Sequence, residues 1–217
     1  MRSTESATSA RRAQGEKSRE RLIEAAIEAI SERGFAATSV ADICREAGVA
    51  KTALYWHFDS KEGLLAKVLE RVGENWIATM RERVYMEGDP PARLDSLIAA
   101  WREILRTEPE LIRLPMLVQL GVGDNSDSIR QALASVVGRA RQALVDGIED
   151  SLGPGLKDLD LVAQTIQSLF QGALLHQVMH PEEEEKLDRL FGDIRQTIAL
   201  VLWDRLPETD KPRLPIG

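Results

Sequence analysis

Apolar positions recur at three- and four-residue spacing along most of the chain, and no stretch sustains a period of two, so helices are expected and strands are not. From about Ser18 to Arg33, Leu22, Ile23, Ala26, Ile27 and Ile30 form one stripe, while Glu20, Arg21, Glu24, Glu28 and Glu32 face the other way. Gly34 follows at the position of a helix-ending C′ residue, and Phe35 turns back toward the core. Residues 39–58 then carry two short patterns: Val40, Ile43 and Ala47 before a break at Ala47-Gly48-Val49, Leu54 and Phe58 after it. Thr38 or Ser39 opens the first helix, with Asp42 in capping-box register to Ser39. The second begins near Ala50 or Lys51 and ends near His57. Gly48 supplies the left-handed residue that lets the chain turn. Two helices joined by a short turn containing glycine are a helix-turn-helix, a unit that sets its second helix in the DNA major groove.

A longer helix follows, with Asp59 or Ser60 as N-cap and Leu64, Leu65, Val68, Leu69, Val72, Trp76, Ile77 and Met80 as its apolar positions, running to about Val84. After Gly88-Asp89-Pro90-Pro91, five more helical segments are expected at roughly 91–107, 109–121, 126–151, 158–180 and 184–206. Pro115 predicts a kink or a late start in the second of these. The fold class is all-α, about nine helices in total. An arm without regular structure spans 1–16, a three-helix helix-turn-helix domain 17–62, a larger helical domain 63–207, and a frayed proline-containing tail 208–217.

The net charge of −7 is unfavourable for a nucleic-acid binder until its distribution is considered. Residues 1–61 hold 10 Lys and Arg against 9 Asp and Glu, and residues 1–21 hold 6 against 3, so the remainder carries the acid. A neutral head with a positive tip on an acidic body suits a domain that approaches DNA by one end. Cys44 is the only cysteine, which rules out an intrachain disulfide and points to a cytoplasmic setting. No apolar run is long enough to span a membrane, and no secretory leader pattern opens the chain. There is no glycine-rich phosphate loop, no G-x-S-x-G and no paired-carboxylate motif, so an enzyme is not expected.

The stretch LIEAAIEAISERGFAATSVADICREAGVAKTALYWHFDSKEGLLAKVL, from Leu22 to Leu69, resembles the DNA-binding domain of the TetR family of bacterial transcriptional regulators. The shared features are Ala25-Ala26, the RGF segment at Arg33 to Phe35, and T-x-V-x-x-I at Thr38, Val40 and Ile43. AGV at Ala47 to Val49, the LYxHF segment from Leu54 to Phe58 and the following SKEGLL complete it. The resemblance implies a homodimer that binds a near-palindromic operator and releases it when a small molecule enters the C-terminal domain. An activator, or an architectural DNA binder with no effector, is the alternative. Ala50 departs from the small polar N-cap usual in the family, leaving Thr52 as the substitute phosphate-contacting hydroxyl.

Lys51, Thr52, Tyr55 and Trp56 are the outward-facing candidates for base and phosphate contacts. Tyr55 and His57 resemble the family's phosphate-contacting pair, and a neutral imidazole still donates one N–H. Lys61 suits another phosphate, and Thr38 and Ser39 offer hydroxyls or helix N-terminal amides from the opposite side. For an effector pocket the candidates are Trp76, Met80, Trp101, Leu105, Met116, Leu117, Leu120, Phe170 and Leu174, with Asn75, Gln119, Arg141, Gln167 and Gln171 as polar groups. By the resemblance, segments 158–180 and 184–206 pair with their twins through Leu169, Gly172, Leu187, Leu190, Ile194, Ile198 and Val201; the rival is that both stripes are buried inside one subunit. The expected partners are thus double-stranded operator DNA, a second copy and a small-molecule effector, with no membrane, cofactor or metal. His176 and His180 stand at i,i+4, but Pro181 ends the helix and no third ligand is fixed.

Overall fold

The computed structural model describes residues 2–84, 88–107, 114–116, 118, 127–180 and 184–207, which are helical apart from short connections, with no strand among them. Eight helices are described along their length: α1 (Arg2–Arg33), α2 (Val40–Ala47), α3 (Lys51–Phe58), α4 (Lys61–Arg83), α5 (Pro90–Thr107), α6 (Asp127–Leu152), α7 (Leu159–Met179) and α8 (Glu184–Arg205). Residues 114–116 and 118 are also helical; the rest of the segment expected at 109–121, with Leu117, Gln119 and Leu120, lies outside the described residues, as does the 208–217 tail.

The chain divides into two compact units: residues 1–72 with 117–135, and residues 73–116 with 136–217. The division falls inside α4, between Val72 and Gly73, and inside α6.

In the first unit α1 packs on α2 and α3. Its core gathers Leu22, Ile23, Ala26 and Ile30 of α1, Ile43 of α2, Leu54 and Phe58 of α3, and Leu64, Leu65, Val68 and Leu69 of α4, all buried. Removing such aliphatic side chains from water contributes about 1.5–3 kcal/mol each. The expected arm at 1–16 is a correction: α1 begins at Arg2 and is 32 residues long. Its first half has no apolar stripe, but alanine, arginine, glutamine, glutamate and lysine favour the helix intrinsically, and the stripe from Leu22 to Ile30 anchors it.

Each boundary of α2 has a local cause. Ser39 Oγ accepts the Asp42 amide at 3.1 Å while the Asp42 carboxylate accepts the Ser39 amide at 3.3 Å, closing the capping box. Gly48 ends the helix in the left-handed region at φ 61°, and the Val49 amide reaches back to the Cys44 carbonyl at 2.9 Å. Of the two N-cap candidates for α4, Ser60 does the capping, its Oγ accepting the Gly63 amide at 3.0 Å.

In the second unit α5 and α7 pack on α8. An aromatic file crosses its core: Trp76 meets Trp101 edge-on at 5.5 Å, Trp101 stacks flat on Phe170 at 4.3 Å, and Phe170 leans on Phe191 at 6.3 Å. Gly73 of α4 lies against α6, where a Cβ on it would stand 2.6 Å from Val136 Cγ1, so these helices approach as closely as they do because residue 73 has no side chain.

Candidate functional site

The eight residues of α3 separate cleanly into two faces. Leu54 is fully buried and Phe58 nearly so, fixing the inner face against α1, where the Arg19 guanidinium stands 5.8 Å from the Phe58 ring centre. Lys51, Thr52, Tyr55 and Trp56 fall on the outer side, with Tyr55 49% and Trp56 77% exposed. An indole this large left in water on a packed domain is unusual and marks a contact surface. No side chain caps α3 at Ala50, so its first amides remain open to an acceptor at the same end as Lys51. His57 is half-buried beside Trp56, the rings edge-to-face at 4.6 Å. Burial holds its pKa below the usual histidine value, with Glu16 acting against that and Arg19 with it, so the ring is neutral near pH 7. Gly15 of α1 lies beside it, where a Cβ would be 3.9 Å from His57 Cε1.

Three of the residues expected at this surface are engaged elsewhere. Thr38 is 1% exposed, and its hydroxyl donates toward the carbonyls of Gly34 at 2.8 Å and Ala29 at 3.1 Å; it staples the α1–α2 connection and is withdrawn as a DNA contact. Ser39 is exposed, but its hydroxyl proton goes to the Asp42 carboxylate, leaving no donor for phosphate, so its hydroxyl is withdrawn too. Lys61 is half-buried: its Nζ donates to the Phe35 carbonyl at 2.6 Å and stands 4.1 Å from the Phe35 ring centre, and burial lowers its pKa. Its first task is to hold the turn after α1, with two N–H donors left over. Cys44 is buried, and burial raises its thiol pKa against the influence of Lys51.

In the second unit a cavity of about 460 Å³ opens between α4, α5, α6, α7 and α8. Of the residues expected to line it, Trp76 and Met80 do, joined by Arg81, Leu94, Leu97, Leu144, Ile148, Ile166 and others. Trp101, Leu105, Met116, Phe170, Leu174, Gln171 and Arg141 do not. Trp101 and Phe170 are stacked on each other in the packed core, and Leu105, Met116 and Leu174 are buried outside the cavity. Arg141 lies 3.4 Å from both the Gln167 amide oxygen and the Asp160 carboxylate. The sequence reading missed Leu94, Leu97, Leu144 and Ile148, which were legible only as ordinary stripe positions.

The expected twin-pairing face is also redrawn. Leu187, Ile194 and Ile198 are buried within the subunit, Ile198 in the cavity wall, so they cannot meet a second copy. Leu169, Leu190 and Val201 are half-exposed and Gly172 is exposed. The open apolar face of α7 consists of Leu161, Leu175 and Met179, 41–64% exposed, and α8 adds Leu200 at 52%. His176 and His180 have ring centres 5.1 Å apart, and among the described residues no cluster of three or more metal-capable side chains forms. Among the same residues no helix is long and apolar enough to cross a membrane.

Comparison with known proteins agrees with this geometry. Residues 22–68 match the model of bacterial regulatory proteins, tetR family. The chain is 28% identical over 199 residues to the HTH-type transcriptional repressor DhaR of Mycobacterium sp. (strain GP1), covering 88% of this chain and 94% of that protein. It is 28% identical over 163 residues to the uncharacterized HTH-type transcriptional regulator YerO of Bacillus subtilis (strain 168), covering 72% of this chain but only 56% of that one. The crystal structure of a putative transcriptional regulator from Pseudomonas aeruginosa PAO1 superposes with a TM-score of 0.69 at 22% identity, over 87% of this chain and 93% of that one, which shows a shared fold. With a buried-inside, polar-and-aromatic-outside α3 behind a glycine turn, and this family's model matched over the same residues, residues 22–68 are a helix-turn-helix segment of the kind found in bacterial regulatory proteins of the tetR family.

Proposed function

We propose that this regulator acts as a homodimeric repressor that holds a near-palindromic operator with α3 in the major groove and lets it go when a small molecule fills the cavity of the second unit. The observation that carries the reading is the two-faced α3: its apolar side is consumed by the head's core, while Lys51, Thr52, Tyr55 and Trp56 stay exposed. Lys51 can donate to guanine O6 or N7, and the Thr52 methyl or Trp56 ring can pack on a thymine methyl. Tyr55, His57, the open amides of α3 and the spare donors of Lys61 can donate to phosphates, which set register rather than sequence.

The exposed Leu161, Gly172, Leu175 and Met179 of α7, with Leu200 of α8, support pairing of two copies through these helices. A dimer presents two α3 helices to half-sites about 34–36 Å apart, or a multiple of that. α4 supplies Lys61 at one end and Trp76, Ile77 and Met80 to the cavity wall at the other, so one helix carries residues of both sites. A ligand that shifts it changes the separation of the heads.

The test is selection of bound duplexes from a random pool at modest ionic strength, followed by light scattering of the free and DNA-bound protein. A recovered inverted repeat bound by two copies is the expected result. Failure to enrich any duplex, or a monomer at all concentrations, defeats the proposal.

A further inference from the structure

The side of α1 that packs on α3 continues past the end of the head. Arg19 stands 5.8 Å from the Phe58 ring centre, and Gly15, one turn nearer the N-terminus, lies where a Cβ would be 3.9 Å from His57 Cε1. The His57 ring in turn meets the exposed Trp56 edge-on at 4.6 Å. A file of residues thus leads from α1 across the end of α3 to its outer surface. Arg12 precedes Gly15 by three positions and Arg19 by seven, spacings that set all three on one side of the helix. Gly15 and Arg19 are half-buried, whereas Arg12, Ala13 and Gln14 are exposed, so the cover that the head gives α1 ends at Gly15. Arg12 is carried about 4.5 Å further along the axis, on the side of His57, and it takes no ion pair among the described residues. Glu16 acts on the His57 ring in favour of its charged form, so this corner also holds an acid. A phosphate arriving here needs a cation to offset that acid.

We propose that Arg12 is a further DNA contact of the head: with α3 in the major groove, its guanidinium grips the phosphate backbone beside His57. This rests on the reading of α3 given above. The planar guanidinium matches two phosphate oxygens at once, and a contact of this kind adds affinity without sequence preference.

Lys17 is the internal control. It is an exposed cation on the same helix, five positions on and so about 140° around the axis from Arg12. Arg12→Ala, Arg12→Lys and Lys17→Ala, each in the full chain, are titrated against the duplex recovered from the random pool, between about 50 and 200 mM salt. Arg12→Ala should lower the slope of log K against log salt by about 0.9, the share of one phosphate. Its affinity deficit should therefore shrink about 3.5-fold across that range, equally on duplexes with altered base pairs. Arg12→Lys keeps a cation and should keep the slope; Lys17→Ala should leave it unchanged. All three should melt with the unsubstituted chain. The inference is overturned if Arg12→Ala retains the full slope, or if Lys17→Ala lowers it as much, since net charge alone would then be at work. A lowered melting temperature in Arg12→Ala also overturns it, because a cation that waits for DNA holds nothing together in the free protein. No duplex bound by the unsubstituted chain defeats the α3 reading and this inference together. Binding with an unchanged Arg12→Ala slope defeats this inference alone.

Discussion

Head and body are made of the same material, helices with one apolar stripe, yet they differ in how their surfaces are specified. In the head α2 and α3 are each 8 residues long, and three of the boundaries around them have a nearby cause: the Ser39–Asp42 box, Gly48 in the left-handed region, and Ser60 over Gly63 at the start of α4. Short helices with fixed ends leave little freedom over which side faces outward, so exposure of Lys51, Thr52, Tyr55 and Trp56 follows from burial of Leu54 and Phe58. The body helices run 18–26 residues and carry apolar side chains around more of their circumference, as α7 does with Leu161, Val162, Ile166, Leu169, Phe170, Leu174 and Leu175. There, tertiary packing alone decides which apolar residue is core, cavity wall or open face. Local chemistry therefore announces the exposed face of α3, whereas the cavity and the exposed apolar face of α7 and α8 emerge only from the assembled unit.

The comparison can be broken most strongly from inside the head. Leu54→Ala should destabilise the first unit by about 2–5 kcal/mol, seen as an earlier urea midpoint, and should remove DNA binding through unfolding rather than lost contacts. On the outer face of the same helix the effect should reverse in kind. Lys51→Ala or Thr52→Ala should leave the melting temperature unchanged but shift operator preference, by about 1–3 kcal/mol per base pair read. Tyr55→Phe should weaken all operators alike and flatten the salt dependence in gel-shift titrations. If the inner and outer substitutions behave alike, the two-faced description of α3 is wrong.

A close approach in the body sits at Gly73. Gly73→Ala gains helix propensity of at most about 1 kcal/mol but drives a methyl into Val136, a stiff β-branched side chain that is itself buried. Net destabilisation of about 1–2 kcal/mol is expected, and Val136→Ala in the same chain should turn the substitution stabilising in thermal unfolding. The smallest effect concerns Asp42. Ser39 first, then Arg45, hold its carboxyl down from 3.8 to about 2. A folded-state pKa below the unfolded one means its contribution is complete above pH 3.8 and disappears as pH falls through about 2. Asp42→Asn should flatten the melting-temperature profile in that window only, and unchanged curvature there would show that the box is not titrating.

What could be read from the residues alone follows the same division. The capping box, the glycine turn, the buried Leu54 and Phe58 and most helix ends were legible because each is written within a few positions. The first half of α1 was not, since periodicity detects only helices that bury a stripe and residues 2–17 have none to bury. Thr38 and Lys61 were legible as polar groups near the surface but not as partners of the Gly34 and Phe35 carbonyls, which come close only once the chain has turned. Trp101 and Phe170 looked like pocket aromatics because composition cannot distinguish a ring that stacks from one that lines a void. Ile194 and Ile198 looked like a pairing seam because a stripe does not say whose core it completes.

The placement of the four tryptophans makes the molecule its own spectroscopic probe. Trp56 stands alone on the head in nearly full contact with water, whereas Trp76, Trp101 and Trp203 belong to the second unit. Iodide should reach the first indole most readily and its emission should lie furthest to the red, because Trp56 is 77% exposed while Trp101 is buried. A chain in which residue 56 is phenylalanine carries no indole in the first unit, so that the glow of the remaining indoles belongs to the second unit alone.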